Sequence, residues 1–387
     1  AISSKGLDRL SRDCFEVSSD INAPNALLLR SYKLSDAEIG DSVSAIARAG
    51  AGVNNIPIEH CTERGIVVFN TPGANANAVK ELVAAGMLLA SRDIVGGMRF
   101  IDELDPSLSS EDMGPLLEAN KKQFAGSELQ GKTLGVLGLG AIGSLIARLG
   151  LDLGMEVVGY DPAISVEAAW RLPSSVKKMG NMQSLFARSD YVSLHIPVLD
   201  STRGLINADT LSHFKKDACL LNFARDQIVN TDAVVAALDK GQLRTYVTDF
   251  PHPALRNRSD TILMPHIGAS TAEAEENCAV MAADQIKAFL DHGNIKNSVN
   301  FPAIELERIT ESRLTVTNRN APGTLSHILN VLGDANLNVA DLLNKSRGDI
   351  AYNLIDLNSE PSLDVLDKIR ALEGVINVRH LGKPCSI

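Results

Sequence analysis

The chain has 387 residues, 45% of them hydrophobic and 22% charged, with a formal net charge of −10. At about 100–200 residues per domain that is room for two or three soluble domains. The acidic balance excludes a nonspecific nucleic-acid binder, which needs clustered Lys and Arg for phosphates, and an anionic ligand must find a local basic pocket against the overall field.

No apolar run approaches the roughly 18–20 residues that span a bilayer, and the start of the chain carries no signal-peptide pattern, so no membrane partner is expected. Cys14, Cys61, Cys219, Cys278 and Cys385 are scattered, with no CxxC pair and no zinc spacing. They read as free thiols of a cytoplasmic protein without a structural metal.

In chain order, short apolar runs at 26–29, 44–47 and 66–69 predict strands. The stretch 75–91 predicts a helix whose apolar face holds Leu82, Ala85, Met87 and Leu88. Residues 102–118 are polar and contain Pro106 and Pro115, the texture of a surface connection. A second alternating series gives nearly all-apolar strands at 133–137, 156–160, 191–196, 218–223, 245–248 and 262–264, as expected of a parallel sheet covered on both faces. An amphipathic helix at 271–290 then returns the chain to the first domain. Beyond residue 312 the predicted order is strand 314–317, helix 323–333, strands 338–344 and 351–356, helix 362–372 and strand 376–380. That β-α-β-β-α-β order is the ferredoxin-like unit, able to fold as a small domain.

Gly138-Leu139-Gly140-Ala141-Ile142-Gly143 is a GxGxxG placed after an apolar strand and before a helix. Gly138 permits the tight turn, Gly140 lets the backbone approach a pyrophosphate, and Gly143 lets helix and strand pack closely. The helix N-terminus adds free N–H groups and about half a positive charge. Glycine-rich turns also join strands to helices with no ligand, so position decides. Asp161 ends the next strand, where an acid binds both ribose hydroxyls and repels a 2′-phosphate, favouring NAD over NADP. Its alternative role is a turn residue before Pro162.

Six ordered blocks then carry a resemblance: 48–56 (RAGAGVNNI), 64–73 (RGIVVFNTPG), 131–138 (GKTLGVLG), 194–197 (LHIP), 222–229 (NFARDQIV) and 265–271 (PHIGAST). With these, the chain resembles the D-isomer-specific 2-hydroxyacid dehydrogenase family as far as about residue 300. The resemblance implies an α/β fold of two doubly wound parallel-sheet domains. Residues 1–96 and 275–303 would form a flavodoxin-like substrate domain, and 97–274 a Rossmann-type domain for NAD.

The resemblance places the cofactor on Gly138, Gly140, Ala141, Ile142, Gly143 and Asp161. His195, Ile196, Pro197 and Thr202 would form its wall, and Phe223, Ala224, Arg225, Asp249, His266 and Gly268 its nicotinamide end, with Asp249 holding the carboxamide. His195 is given no proton transfer.

The chemistry suits those residue types. Arg225 would bind the substrate carboxylate by a forked, charge-assisted contact. His266 would take the hydroxyl proton as hydride leaves. Backbone groups of Gly73, Ala74 and Asn75 resemble the family's second carboxylate contact. Each has a plainer alternative: Arg225 as a surface ion pair, His266 as a helix cap.

One departure stands out. The family pattern Asp-Val-Phe-x-x-Glu-Pro carries a Glu that pairs with the catalytic His, whereas this chain reads Asp249-Phe-Pro-His-Pro253. No acid lies between Asp249 and Asp260, so His266 is either less basic or held by another group. Two substitutes are His252, near the lost Glu, and Lys80, in the helix after Gly73. Desolvated in the cleft, Lys80 serves as acid or base; its alternative is an exposed helix lysine.

Residues 312–387 resemble an ACT regulatory domain. Asn318, Asn320 and Asn338 match the positions that bind amino-acid effectors, although relatives that sense serine carry His where Asn318 stands. L-serine is the effector implied; a unit that only assembles subunits into a homo-oligomer, a dimer or tetramer, is the alternative.

An ACT unit on such a dehydrogenase implies 3-phosphoglycerate as substrate, oxidised to 3-phosphohydroxypyruvate at the entry to serine synthesis. Arg48 is the preferred phosphate ligand, with Arg30, Lys121 and Lys122 also available or else ordinary surface charge. Another small 2-hydroxy acid such as glycerate, or a non-catalytic NAD-sensing protein like the C-terminal binding protein co-repressors, are the competing readings.

Overall fold

The computed structural model describes residues 2–385. In chain order its first elements are α1 (Ser4–Leu7), β1 (Ala26–Leu29), β2 (Ala45–Arg48), α2 (Ile58–Glu63) and β3 (Val67–Phe69). Then come α3 (Ala76–Ser91), α4 (Ile94–Asp102), α5 (Ser110–Asn120), β4 (Thr133–Leu137), α6 (Ala141–Asp152), β5 (Glu156–Tyr160), α7 (Val166–Arg171) and β6 (Lys177–Lys178). They are followed by α8 (Met182–Arg188), β7 (Tyr191–Leu194), α9 (Ala208–Ser212), β8 (Ala218–Asn222), α10 (Thr231–Asp239), β9 (Leu243–Thr248) and β10 (Thr261–Leu263). The chain continues with α11 (Ala272–His292), β11 (Ser312–Arg319), α12 (Thr324–Asp334), β12 (Val339–Arg347), β13 (Ile350–Leu357), α13 (Leu363–Arg370) and β14 (Val375–Leu381). Two compact units result, one from the residues up to Asn75 and from Thr271 onward, the other from Ala76–Ser270. The divide after Asn75 falls earlier than the residue 96 expected, because α3 packs in the second unit.

In the first unit β1, β2 and β3 are parallel and lie in sequential order. These parallel strands belong to the α/β architecture expected. Helix α11 covers the sheet. Thr271 caps its start by accepting from Ala274 N, Glu273 and Glu275 suit its N-terminal dipole, and Gly293 ends it in the left-handed conformation at φ 71°. Its small residues Cys278 and Ala282 let it lie close to the alanines of β2.

Strands β11–β14 form an antiparallel sheet in the order β12-β13-β11-β14, the ferredoxin-like arrangement expected. The sheet is not self-contained. Ile350, Tyr352 and Leu354 share one core with Ala45, Val67, Phe69, Phe289 and Phe301. At that junction Arg313 and Asp356, both fully buried, pair through Nε–Oδ1 at 2.5 Å and Nη2–Oδ2 at 2.9 Å. The same guanidinium donates to His292 O, Leu306 O and Glu307 O, so both ends of the connection from α11 to β11 are tied to it.

A disulfide joins Cys14 to Cys385, which corrects the expectation of free thiols for that pair. Sequence spacing hides it because the two cysteines stand near opposite ends of the chain. Cys61, Cys219 and Cys278 are free and buried.

The second unit has seven parallel strands in the order β10-β9-β8-β7-β4-β5-β6, which reverses between β7 and β4. Strands β4, β7 and β8 are almost wholly buried, as their apolar runs require. Gly86 lets α3 settle on the sheet: a Cβ there would stand 3.1 Å from Phe223 and Val247. The expected connection at 102–118 lies at the surface with no buried residue, and α5 makes its second half helical. Asp93 and Ser109 cap α4 and α5, accepting from Gly96 N and Asp112 N, and Glu111 and Asp112 suit the first turn of α5 strongly enough to carry Pro115 inside it. Strand β6, two exposed lysines on the sheet edge, has no apolar signature to predict it.

Among the described residues no helix is long and apolar enough to cross a membrane, and no cluster of His, Cys, Asp or Glu could hold a metal.

Asp356→Ala strands the Arg313 charge in the core and should cost about 3–5 kcal/mol in urea unfolding; an unchanged midpoint would show that the pair is not closed. Maleimide labelling of the denatured, unreduced chain should find three thiols and, after reduction, five.

Candidate active site

The parallel strands of the second unit leave from one sheet edge, and six of the seven hand a residue of the site to the loop that follows. Gly138 follows β4, Asp161 follows β5, His195 follows β7, Arg225 lies just past β8, Asp249 follows β9, and His266 lies just past β10. Strand order arranges them in one row: His266, Asp249, Arg225, His195, the glycine turn, Asp161. At about 4.8 Å per strand the row is roughly 24 Å long. It straddles the reversal between β7 and β4, the place where open α/β sheets bind ligands.

At the glycine turn, Gly138 has φ 90° and its missing Cβ would lie 2.4 Å from His195 O, so only glycine fits. A Cβ on Gly143 would stand 1.9 Å from Gly138 O, whereas one on Gly140 would meet nothing within 4 Å. The space over Gly140 is therefore open for a phosphate. Helix α6 begins there with no side chain capping its N-terminus, leaving donors and the positive end of its dipole exposed. Asp161 Oδ2 accepts from Leu139 N at 2.8 Å and its Oδ1 from Ala163 N at 2.9 Å, so it builds the turn before Pro162 and locks that turn to the glycines.

His195 is half-buried, and desolvation pushes its imidazole down to about 3. Its Nε2 shares a hydrogen bond of 2.8 Å with Ser193 Oγ. It stays neutral at physiological pH, in keeping with a wall rather than a proton carrier. Thr202 Oγ1 donates to Pro197 O and accepts from Leu199 N, fixing the loop after Ile196. Phe223 is buried beneath α3, so its side chain is core; Ala224 is half-buried.

Arg225 is exposed, with Nη1 donating to Ala224 O at 2.6 Å. Its backbone is set by Asn222, a residue given no role from sequence although it opens the quoted NFAR block. The fully buried Asn222 amide accepts from Ala224 N and donates to Arg225 O at 2.9 Å. Thr248 Oγ1 donates to Asn222 O and accepts from Phe250 N, joining the ends of β8 and β9.

Asp249 is buried, and burial raises its carboxyl above the usual range. Oδ2 accepts from Gly268 N at 2.9 Å, while Oδ1 is buried with no donor among the described residues. An orphaned acceptor beside the His266 loop fits a ligand amide, as a nicotinamide carboxamide would supply. His266 itself is exposed, its ring 4.7 Å from that of Phe250.

Neither substitute partner is drawn to His266 by any bond. Lys80, half-buried on α3, donates to Asn77 Oδ1 at 2.5 Å on its own helix. His252 Nδ1 accepts from Ala254 N, capping the short turn that follows.

In the first unit Arg48 ends β2, with Nε donating to Arg30 O and Nη1 to Gly52 O; Arg30 pairs with Glu275 at 2.7 Å. Lys121 pairs with Glu118, in the second unit. Gly73, at φ 81°, and Ala74 line a cavity of about 670 Å³ with Gln285, whose Nε2 donates to Asn70 O and steadies the strand leading to Asn75.

In the C-terminal sheet Asn318 is buried, its Nδ2 donating to Arg319 O and its Oδ1 accepting from Asn353 Nδ2. Asn320 and Asn338 are exposed.

Residues 93–268 match the family described as D-isomer specific 2-hydroxyacid dehydrogenase, NAD binding domain. The D-3-phosphoglycerate dehydrogenase of Haemophilus influenzae is 33% identical over 369 residues, covering 91% of this chain and 85% of that protein. The Synechocystis enzyme of the same name is 34% identical over 78% of this chain, which spans only 53% of its length. Among solved structures, the NAD+-bound 3-phosphoglycerate dehydrogenase of Entamoeba histolytica superposes with a TM-score of 0.57, at 28% identity over 72% of this chain and 83% of that one.

Gly143→Ala should lower NADH affinity at least about tenfold in fluorescence titration, because its methyl cannot coexist with the Gly138 carbonyl. Asn222→Ala should leave that affinity within about twofold while lowering kcat/KM about tenfold, the scale of one buried hydrogen bond to the Arg225 turn.

Proposed function

This chain belongs to the D-isomer specific 2-hydroxyacid dehydrogenase family, and from that premise we propose that it oxidises 3-phosphoglycerate to 3-phosphohydroxypyruvate with NAD. The observation that carries the substrate is the span of the likeness to D-3-phosphoglycerate dehydrogenases, which at 91% of the chain extends into the C-terminal sheet.

NAD supplies the hydride acceptor. The protein's own residues do the rest. The open space over Gly140 and the uncapped start of α6 take the pyrophosphate, Asp161 the adenosine ribose, and Asp249 Oδ1 the carboxamide. Arg225 grips the substrate carboxylate, and its fixed charge orients C2. His266 removes the hydroxyl proton, and the buried Asp249 charge close by favours the imidazolium that forms. Arg48 and Arg30 are assigned to the phosphate, and the backbone of Gly73, Ala74 and Asn75 to the carboxylate. In the C-terminal unit, of ACT type, the closed amide of Asn318 leaves Asn320 and Asn338 as serine's polar contacts. It thereby favours assembly of a homodimer or homotetramer over serine sensing. A cytoplasmic location goes with this reading, and a Cys14–Cys385 bridge found oxidised in cells would count against it.

A second reading has one observation in its favour: with no hydrogen-bonding partner on His266 among the described residues, the chain bears comparison with a non-catalytic NAD sensor.

One assay separates them. NADH formation from 3-phosphoglycerate should exceed that from glycerate or lactate; tight NADH binding without turnover on any acid favours the sensor. His266→Ala should lower kcat by about 10²–10⁴-fold with NADH binding intact, and Arg225→Ala should lower kcat/KM about a hundredfold or more. Lys80→Ala and His252→Ala at wild-type rates would remove both as proton partners, and serine titration in the same assay tests the effector.

A further inference from the structure

An imidazole that must take a proton from a bound hydroxyl needs its ring held in one rotamer, and a second group usually does this through the other ring nitrogen. Here neither His266 nitrogen has a hydrogen-bond or ion-pair partner among the described residues. The side chain is exposed, and the buried Asp249 carboxylate acts on it only through space, so no hydrogen bond chooses among its staggered wells. What does touch it is the Phe250 ring, with centroids 4.7 Å apart and planes inclined at 48°. That falls within the separations at which offset aromatic pairs attract.

The Phe250 ring is itself delivered by a stiff segment. Phe250 N donates to Thr248 Oγ1 at 3.0 Å, and that hydroxyl donates to Asn222 O at 2.8 Å, anchoring residue 250 to the buried ends of two strands. Pro251 restricts the Phe250 backbone to extended conformations. Pro253 and the His252 cap on Ala254 N brace the far side of the segment. The preceding Asp249 is fixed to the His266 loop through Gly268 N.

We propose that Phe250 is the positioning residue of His266, holding the imidazole by ring contact where no hydrogen bond does. This rests on the dehydrogenase reading above, with His266 as proton acceptor. Phe250 touches no reacting atom; it selects the rotamer from which His266 reaches the hydroxyl.

The test is steady-state oxidation of 3-phosphoglycerate by the full chain, with NADH binding followed by fluorescence. Phe250→Ala should lower kcat about 3- to 10-fold, the range one aromatic contact can hold, with substrate KM and NADH affinity within about twofold. Phe250→Tyr should restore kcat, and Phe250→Leu, apolar but without the ring's edge and face, should not. Should the alanine variant fail to bind NADH, the leucine and tyrosine pair decides alone. Active wild type with unchanged kcat in Phe250→Leu overturns the positioning role only. An inactive wild type that binds NADH overturns the parent reading and this one with it. Loss of KM rather than kcat in Phe250→Leu would also overturn it, by placing the ring against substrate.

Discussion

A parallel sheet has a single carboxyl edge. The second unit depends on this constraint, because the side chains assigned chemistry come from six strand ends scattered between Gly138 and His266 in sequence. Running every strand the same way puts those ends in one row without any contact among the side chains themselves. The strands can all run alike only because α6 and the later helices return the chain, and with α3 they bury both faces. Burial of β4, β7 and β8 is thus the precondition of the site, not a separate matter of stability.

Within that row, order comes from the backbone and from amides rather than from ion pairs. Gly138 and Gly143 are each pressed against a carbonyl, Asn222 spans the turn to Arg225, Thr248 links two strand ends, and Asp249 holds Gly268. Such contacts fix positions without spending the charges that a ligand needs. Among the described residues Asp249 keeps one oxygen unpaired, and Arg225 holds only a neighbouring carbonyl. A buried acceptor left without a donor is costly in a finished fold, and a ligand amide removes that cost.

Much of this was legible in the residues. Strands β4 and β5 were readable to their ends, because runs such as 133–137 and 156–160 are apolar and bounded by turn residues, and GxGxxG has few backbone solutions. Legibility failed where the signal was not periodic. Helix α5 begins with a capping serine and acids that outweigh its proline, while β6 is two lysines paired only because an edge was vacant. Asn222 and Phe250 lay inside quoted blocks but had no charge to mark them; what they do depends on which backbone groups the strand ends bring near. Asn318 failed the other way. Its type and place suit a ligand contact, but Asn353 across the strand pair occupies it.

The Cys14–Cys385 bond has a topological consequence. Its partners are 371 positions apart, so oxidation closes the stretch between them into one large covalent ring. A protease that severs one surface loop inside that ring opens it without releasing a fragment, and even the thermally expanded polymer keeps Cys14 and Cys385 together.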